Sequence, residues 1–289
     1  MIAISGLTKR YGGVAAVDDF TLEIPSGSVC GLLGRNGAGK TTTFKCLLGF
    51  ARADSGTMLF DGAPLAPATF EKLGYVPERP QLYGWMTVGE HLELIRRSHP
   101  KYDAARANQL IEIFRLERRK KAKRLSKGQQ TALSLIVVLA TNPSLLILDE
   151  PASGLDPVMQ RAVLDLLIDA ATSGATILLS SHQIGQIERA ADRVAILRDG
   201  RLVLSGEIDD LRAGSRIVEA TFANAIPDLT QIAGVERFES AGMTVRAFTN
   251  GRADAVAARL GELGGNGVRV VDRSLEDIFL DAVADGENR

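Results

Sequence analysis

Apolar residues in this chain recur with period two in some stretches and period three to four in others, and the switches between the two predict its elements. Ile2 to Leu7 and Val14 to Ile24 read as strands, the second through Val17, Phe20, Leu22 and Ile24, and Pro25-Ser26-Gly27 ends it. A short apolar run from Val29 then feeds a glycine-rich loop that opens into a helix. Thr57 to Phe60 followed by Asp61-Gly62 predicts a hairpin, and Leu73 to Val76 a strand closed by Pro77. Thr87 and Glu90 form a capping-box pattern ahead of Leu92, Leu94 and Ile95, and a second amphipathic run follows from Ala104 to Leu116. Ser126 stands at the N-cap position of a long apolar helix ending near Thr141, so a helical insertion spans about 84–141.

Leu145 to Leu148 reads as a buried strand ending in Asp149 and Glu150, as a doubly wound parallel sheet requires at the carboxyl edge of a strand facing its loops. Asp156-Pro157 supplies an N-cap and first-turn proline for a helix to Ala171, and the strand Thr176 to Ser180 delivers His182 at its end. Beyond Ala213 the pattern changes. Ile217 to Phe222, Val235 to Phe238, Thr244 to Phe248 and Val268 to Val271 read as short strands, and Ala253 to Leu263 as a helix. Ser274 caps a last helix with an apolar stripe at Leu275, Ile278, Phe279 and Ala282, and no catalytic motif appears. The expected division is 1–212 and 213–289.

Composition narrows the class. The 289 residues are 45% hydrophobic, enough for one large and one small domain, and a net charge of −1 argues against bulk binding to nucleic acid. The longest apolar run, Leu133 to Ala140 with Ser134 inside it, falls far short of the ~20 residues that span a bilayer. The amino-terminal segment lacks a signal-peptide layout, and two cysteines make no disulfide framework, so a reducing cytoplasm is expected. Cys30 and Cys46 are expected as packed core thiols. Between Arg115 and Lys127 eight basic residues stand against the acid Glu117; a solvated helix face and a contact to anionic phosphates or headgroups both fit this run.

Gly34, Gly39, Lys40 and Thr41 fit the spacing G-x-x-x-x-G-K-[ST]. In such a loop the backbone N–H groups cradle nucleotide phosphates, and side chains at the glycine positions would hold the backbone away. Lys40 would reach the β- and γ-phosphates and the Thr41 hydroxyl would ligate Mg²⁺. Asp149 suits Mg²⁺, and Glu150 suits polarising an attacking water. Tyr11 fits either stacking on a nucleobase or packing a hairpin, and His182 either a γ-phosphate contact or a helix cap.

Taken in order, Tyr11, the loop Gly34 to Thr42, Leu125-Ser126-Lys127-Gly128-Gln129, Leu145 to Glu150 with Ser153-Gly154-Leu155-Asp156 behind it, and His182 resemble the ATP-binding subunit of ABC transporters over roughly residues 1–210. The resemblance implies an α/β fold: a P-loop NTPase core with an antiparallel β subdomain and an α-helical signature subdomain, plus a small C-terminal α+β appendage. It implies ATP and Mg²⁺ as cofactors, with Tyr11 on adenine, Gly34, Arg35, Asn36, Gly37, Ala38, Gly39, Lys40, Thr41 and Thr42 around the phosphates and metal, and Glu150 as catalytic carboxylate. His182 would steady the γ-phosphate region. Ser126, Gly128 and Gln129 would act on ATP held by a second copy of the chain, in a head-to-tail dimer whose interface Asp156 lines. The expected partners are that second copy and a separate membrane permease, with the subunit peripheral on the cytoplasmic membrane face.

Two positions depart from the common pattern of that family. Glu78 stands where a glutamine contacts Mg²⁺, adding charge beside the γ-phosphate; Lys127 replaces the first glycine of the signature and is expected to point outward or to touch phosphate. Both resemble the drug- and antibiotic-export (ABC-2-type) branch, which implies export of a drug-like, antibiotic, lipid or peptide substrate. A soluble ATPase acting on ribosomes or DNA would carry duplicated motifs or a long coiled-coil insertion, neither of which is in the sequence. A weakly hydrolysing, nucleotide-gated module is the other rival, resting on Glu78 and Lys127.

Overall fold

In the computed structural model, which describes residues 1–64, 66–214, 216–249 and 251–284, the alternating segments Ile2–Tyr11 (β1) and Val14–Ile24 (β2) pair as an antiparallel hairpin. Their inward residues Ile2, Ile4, Leu7, Val17, Phe20, Leu22 and Ile24 are buried. β1 runs past the expected Leu7 because register shifts after Ile4 and Leu7 let a bulged strand keep its pairing. β3 (Val29–Leu33) is buried throughout and leads into α1 (Lys40–Leu47). β4 (Ser55–Phe60) adds to β1, and the two-residue β5 (Ala63–Pro64) completes a sheet in the order β2-β1-β4-β5.

α2 (Pro67–Phe70) precedes β6 (Leu73–Val76), after which comes the helical insertion with α3 (Val88–Ser98), α4 (Ala104–Ile113) and α5 (Lys127–Leu139). The Thr87 capping box is present: Glu90 N donates to Thr87 Oγ1 at 3.2 Å and Thr87 N to Glu90 Oε2 at 2.6 Å. These bonds hold the Glu90 carboxyl below its usual range. α4 stops short of Leu116 because Arg115 takes a φ of +50°, outside helical space.

The basic run is not the expected helix face. Ala122 N donates to Met86 O at 2.8 Å and Lys123 N to Gly84 O at 3.1 Å, while Val88 N donates to Lys120 O and Gly89 N to Arg118 O. Backbone groups committed to a second segment cannot close helical turns, and only the 3₁₀ turn Ala122–Arg124 forms.

β7 (Leu145–Asp149), α6 (Pro157–Thr172), β8 (Thr176–Ser181), α7 (Ile184–Ala190), β9 (Arg193–Arg198) and β10 (Arg201–Glu207) complete a six-stranded sheet in the order β10-β9-β3-β8-β7-β6. Neighbouring strands from β9 to β6 are parallel, with Leu33 beside Ser181, Asp149 beside Ser180 and Val76 beside Leu148. The loops leaving β3, β6, β7 and β8 therefore emerge at one edge, where ligands bind in open α/β sheets. Phe44 and Leu47 of α1, with Leu32, Ile147 and Leu178 from this sheet and Phe20 from the hairpin, share one core. α7 packs so closely on the other face that a Cβ at Gly31 would lie 2.4 Å from Ile187 Cγ2.

This first compact unit covers Met1–Ser205 and a second covers Gly206–Arg289. The second holds α8 (Ile208–Gly214), β11 (Arg216–Thr221), β12 (Val235–Ala241), β13 (Thr244–Thr249), α9 (Ala253–Glu262), β14 (Asn266–Asp272) and α10 (Leu275–Ala284). Its antiparallel sheet runs β12-β13-β11-β14, and Val256 and Leu260 of α9 pack on Val218, Ala220, Val245 and Ala247. On the opposite face Glu239, Arg246, Glu219 and Arg269 line up across the four strands with alternating charge. Arg237 stacks 3.5 Å from the Phe248 ring centroid, and Asp281 of α10 pairs with both Arg237 and the buried Arg273. Leu275 and Ile278 are the buried part of the α10 stripe.

Gly31→Ala should lower stability by about 1–3 kcal/mol through overpacking against Ile187, read as a lower denaturant midpoint of the first unit. Burial pushes the Cys30 thiol up to about 12 and also raises that of Cys46. Both should therefore resist alkylation at pH 8 in the native protein and react fully once it is unfolded, as read by mass spectrometry.

Candidate functional site

The loop between β3 and α1 needs its glycines. Gly39 has a φ of +110°, and a Cβ there would meet Ala16 O at 2.5 Å. This close approach turns the chain directly into α1, whose first-turn N–H groups have no partner inside the helix. Lys40, only 7% exposed, folds back so that Nζ donates to Gly34 O at 2.6 Å and to Arg35 O at 3.4 Å.

Asp149, at the end of β7, is 2% exposed. Its carboxylate accepts from Thr41 Oγ1 at 2.9 Å and from Ser180 Oγ at 2.7 Å, which ties the loop to two strand ends. Tyr75 lies half-buried near it, and burial together with the Asp149 charge pushes its phenol up to about 12, so the hydroxyl keeps its proton.

Glu150 follows with a φ of +51°, a costly backbone setting for a residue other than glycine. Its own N–H donates to Ser180 Oγ at 2.9 Å, which helps fix the turn. The carboxylate lies between two groups, with Oε1 3.8 Å from Lys40 Nζ and Oε2 2.8 Å from His182 Nδ1. His182 is positioned by β8 and remains half exposed at the mouth.

A cleft of about 430 Å³ brings together Arg35, Asn36, Gly37, Ala38, Gly39, Lys40, Thr41, Thr42, Glu78, Asp149, Glu150 and His182. Ala16 and Ser153 also line it, and neither was expected. Ser180 was missed as well, although its signal was present: a polar residue closing an apolar parallel strand beside the Asp149 strand. Glu78, exposed at the rim, comes from the loop after β6. Thr41, Asp149 and Glu78 offer hard oxygen donors, the type Mg²⁺ takes alongside water and phosphate. Among the described residues no group of three or more His, Cys, Asp or Glu could hold a metal by itself.

Other expected residues lie away from the cleft lining. Tyr11 ends β1 opposite Val14, 49% exposed, with Lys9 Nζ 5.2 Å from its ring centroid. Ser126, Gly128 and Gln129 sit at the head of α5. There Gln129 N donates to Ser126 Oγ and Ser126 N to Gln129 Oε1, both at 3.2 Å, and Lys120 Nζ also donates to that amide oxygen. Asp156 caps α6 by accepting from Val158 N and Met159 N, each at 3.0 Å. Lys127 is exposed, with its stem laid along Gly154.

A sequence model of the family described as ABC transporter matches residues 17–153. The ABC transporter ATP-binding protein YtrB of Bacillus subtilis is 36% identical over 215 residues, spanning 73% of this chain and 74% of that protein. The Nod factor export ATP-binding protein I of Cupriavidus metallidurans is 34% identical over 296 residues, 97% of this chain and 96% of that one. A solved structure described as the ATP-binding subunit of an ABC transporter superposes with a TM-score of 0.69 at 32% identity, over 73% of this chain and 92% of its own.

Replacing Ser180 by Ala would leave Asp149 short of one donor and the Glu150 N–H short of its acceptor. Thermal unfolding of the nucleotide-free protein should report a loss of about 1–3 kcal/mol, the cost of unsatisfied buried groups.

Proposed function

We propose that this chain, which belongs to the ATP-binding proteins of ABC transporters, hydrolyses ATP in the cleft at the carboxyl edge of its parallel sheet and drives a separate membrane permease. The observation that carries the reading is the Glu150 carboxylate, set between Lys40 and His182 at the mouth of the glycine-rich loop.

In this reading the loop N–H groups and Lys40 take the phosphates, and Lys40 exchanges its carbonyl acceptors for phosphate oxygens. Thr41 and Asp149 would hold Mg²⁺, with Glu78 beside them at the rim, and the metal would supply charge neutralisation for the phosphates. Glu150 accepts a hydrogen bond from the attacking water and orients it in line. His182 Nδ1 keeps that carboxylate aimed, while the ring's other edge faces the γ-phosphate as negative charge spreads. Tyr11 stacks on the adenine face.

The signature residues lie outside the lining of their own cleft, which supports their acting on nucleotide held by a second copy. Two chains then sandwich two ATP molecules head to tail, and Asp156 lines the joint. Closure of that dimer on ATP, and its opening after hydrolysis, is the stroke passed to the permease. Among the described residues no helix is long and apolar enough to cross a membrane, in keeping with a peripheral subunit on the cytoplasmic face. Export is the favoured direction, since the Nod factor export protein aligns through the second unit as well as the first. Glu78 and Lys127 leave the contacts of Glu150 in place, which favours a hydrolysing subunit over a weakly active regulatory module.

Glu150→Gln should cut turnover by about 10²–10³-fold while ATP still binds and chromatography shows a trapped dimer. Near-normal turnover would reject the role given to Glu150. Lys40→Ala should weaken nucleotide affinity about tenfold or more by calorimetry, since it removes the charge that meets the phosphates. In dimers mixed from Ser126→Arg and Lys40→Ala subunits at most one composite site stays intact, so two fully active sites would refute the head-to-tail arrangement.

A further inference from the structure

Lys127 occupies the first turn of α5, where the family resemblance has a glycine, and its side chain, though exposed, lies along Gly154 and outside the cleft lining. Its Cδ, Cε and Nζ run along Gly154: a Cβ on that glycine would lie 3.6, 3.4 and 2.9 Å from them. Gly154 has a φ of +71°, so the position both disfavours a side chain and receives one from elsewhere. Next to it, Leu155 is 7% exposed, and a Cβ on Gly128 would come within 3.1 Å of Leu155 Cδ2. The head of α5 is thus seated on the Ser153–Asp156 turn at two successive positions.

That turn is joined to Glu150. Ser153 N donates to Glu150 O at 3.0 Å, and Gln160 Nε2 holds the Ala152 and Leu155 carbonyls at 3.4 and 3.1 Å. Glu150 itself keeps a left-handed backbone that its surroundings must impose. Lys127 Nζ has no hydrogen bond or ion pair with a described residue. The end of the side chain lies nearest the glycine, and with no partner for the charge what it contributes here is the packing of that end and of the Cδ and Cε behind it, as long charged side chains do on surfaces they cover.

We propose that Lys127 is a positioning residue for hydrolysis: its stem clamps the Ser153–Asp156 turn to the signature helix and, through Ser153, holds Glu150 at the attacking water. This rests on the role given to Glu150 above. It differs from a phosphate contact by Lys127 in one measurable respect, since a clamp needs the stem and a phosphate contact needs the charge.

The test compares steady-state ATP hydrolysis, nucleotide affinity and thermal midpoint for the wild type, Lys127→Ala and Lys127→Met, with Glu150→Gln as reference. The clamp requires Lys127→Ala to lower kcat about tenfold, a modest share of what misplacement of a catalytic group can cost. KM for ATP and nucleotide affinity should stay within about twofold, because the phosphate loop is untouched. Lys127→Met, which restores the stem without the charge, should recover most of kcat. A wild-type rate in Lys127→Ala overturns the proposal. So does a Lys127→Met as slow as Lys127→Ala, which assigns the effect to the ammonium group. Should Lys127→Ala melt early, all variants are assayed at a temperature where it remains folded, and the same criteria apply. Normal hydrolysis by Glu150→Gln is a separate result that removes the role of Glu150 and this inference with it.

Discussion

A carboxylate that is 2% exposed must find its hydrogen bonds inside the protein, and Asp149 finds them in Thr41 and Ser180. Those two donors stand on different elements, one opening α1 and the other closing β8. The demand of one buried charge therefore fixes the glycine-rich loop against two parallel strands. Ser180 extends the tie by accepting from the Glu150 N–H, so Asp149 and Glu150 share one anchor. Lys40 and His182 then meet Glu150 at different carboxylate oxygens. The cleft is the consequence of satisfying Asp149 at the edge of a sheet whose register puts all these termini together.

Much of this was legible beforehand because it is local. A glycine spacing, an apolar strand closed by two acids, and Ser or Thr three positions ahead of Glu or Gln each carry their geometry within a few residues. Glu150, Lys40 and His182 were named from such patterns, and they converge in the structure. Ser180 was overlooked because a serine after leucines reads as the end of a strand, and its partner lies on a neighbouring strand. The basic run misled for a related reason. Its composition suits a helix, yet its backbone bonds go to the segment around Met86 and Gly89. Propensity loses there to a pairing between stretches some thirty residues apart.

The second unit illustrates the same limit. Strand-forming segments and the Leu275–Ile278 stripe could be read from alternation, but the row of Glu239, Arg246, Glu219 and Arg269 exists only once register is set. Exposed ion pairs of this kind contribute little singly, about 0–1 kcal/mol each. The Asp281 bridge to Arg237 and to buried Arg273 is more demanding, since a covered guanidinium left without its acid is costly. α10 is therefore held by charge as well as by its apolar stripe.

The capping box at Ser126 carries one more implication, and it concerns protons. The hydroxyl oxygen already receives the Gln129 N–H, and the Gln129 amide oxygen receives the Ser126 N–H and the Lys120 ammonium. Ser126 thus spends a lone pair on the helix and keeps its own hydrogen, which rotates freely about the C–O bond. In the proposed head-to-tail dimer the signature helix would offer the partner's nucleotide a donor whose oxygen is fixed and whose hydrogen is still mobile. A threonine could preserve both properties, whereas an aspartate, an equally good cap, would satisfy the helix and present an acceptor to the phosphate.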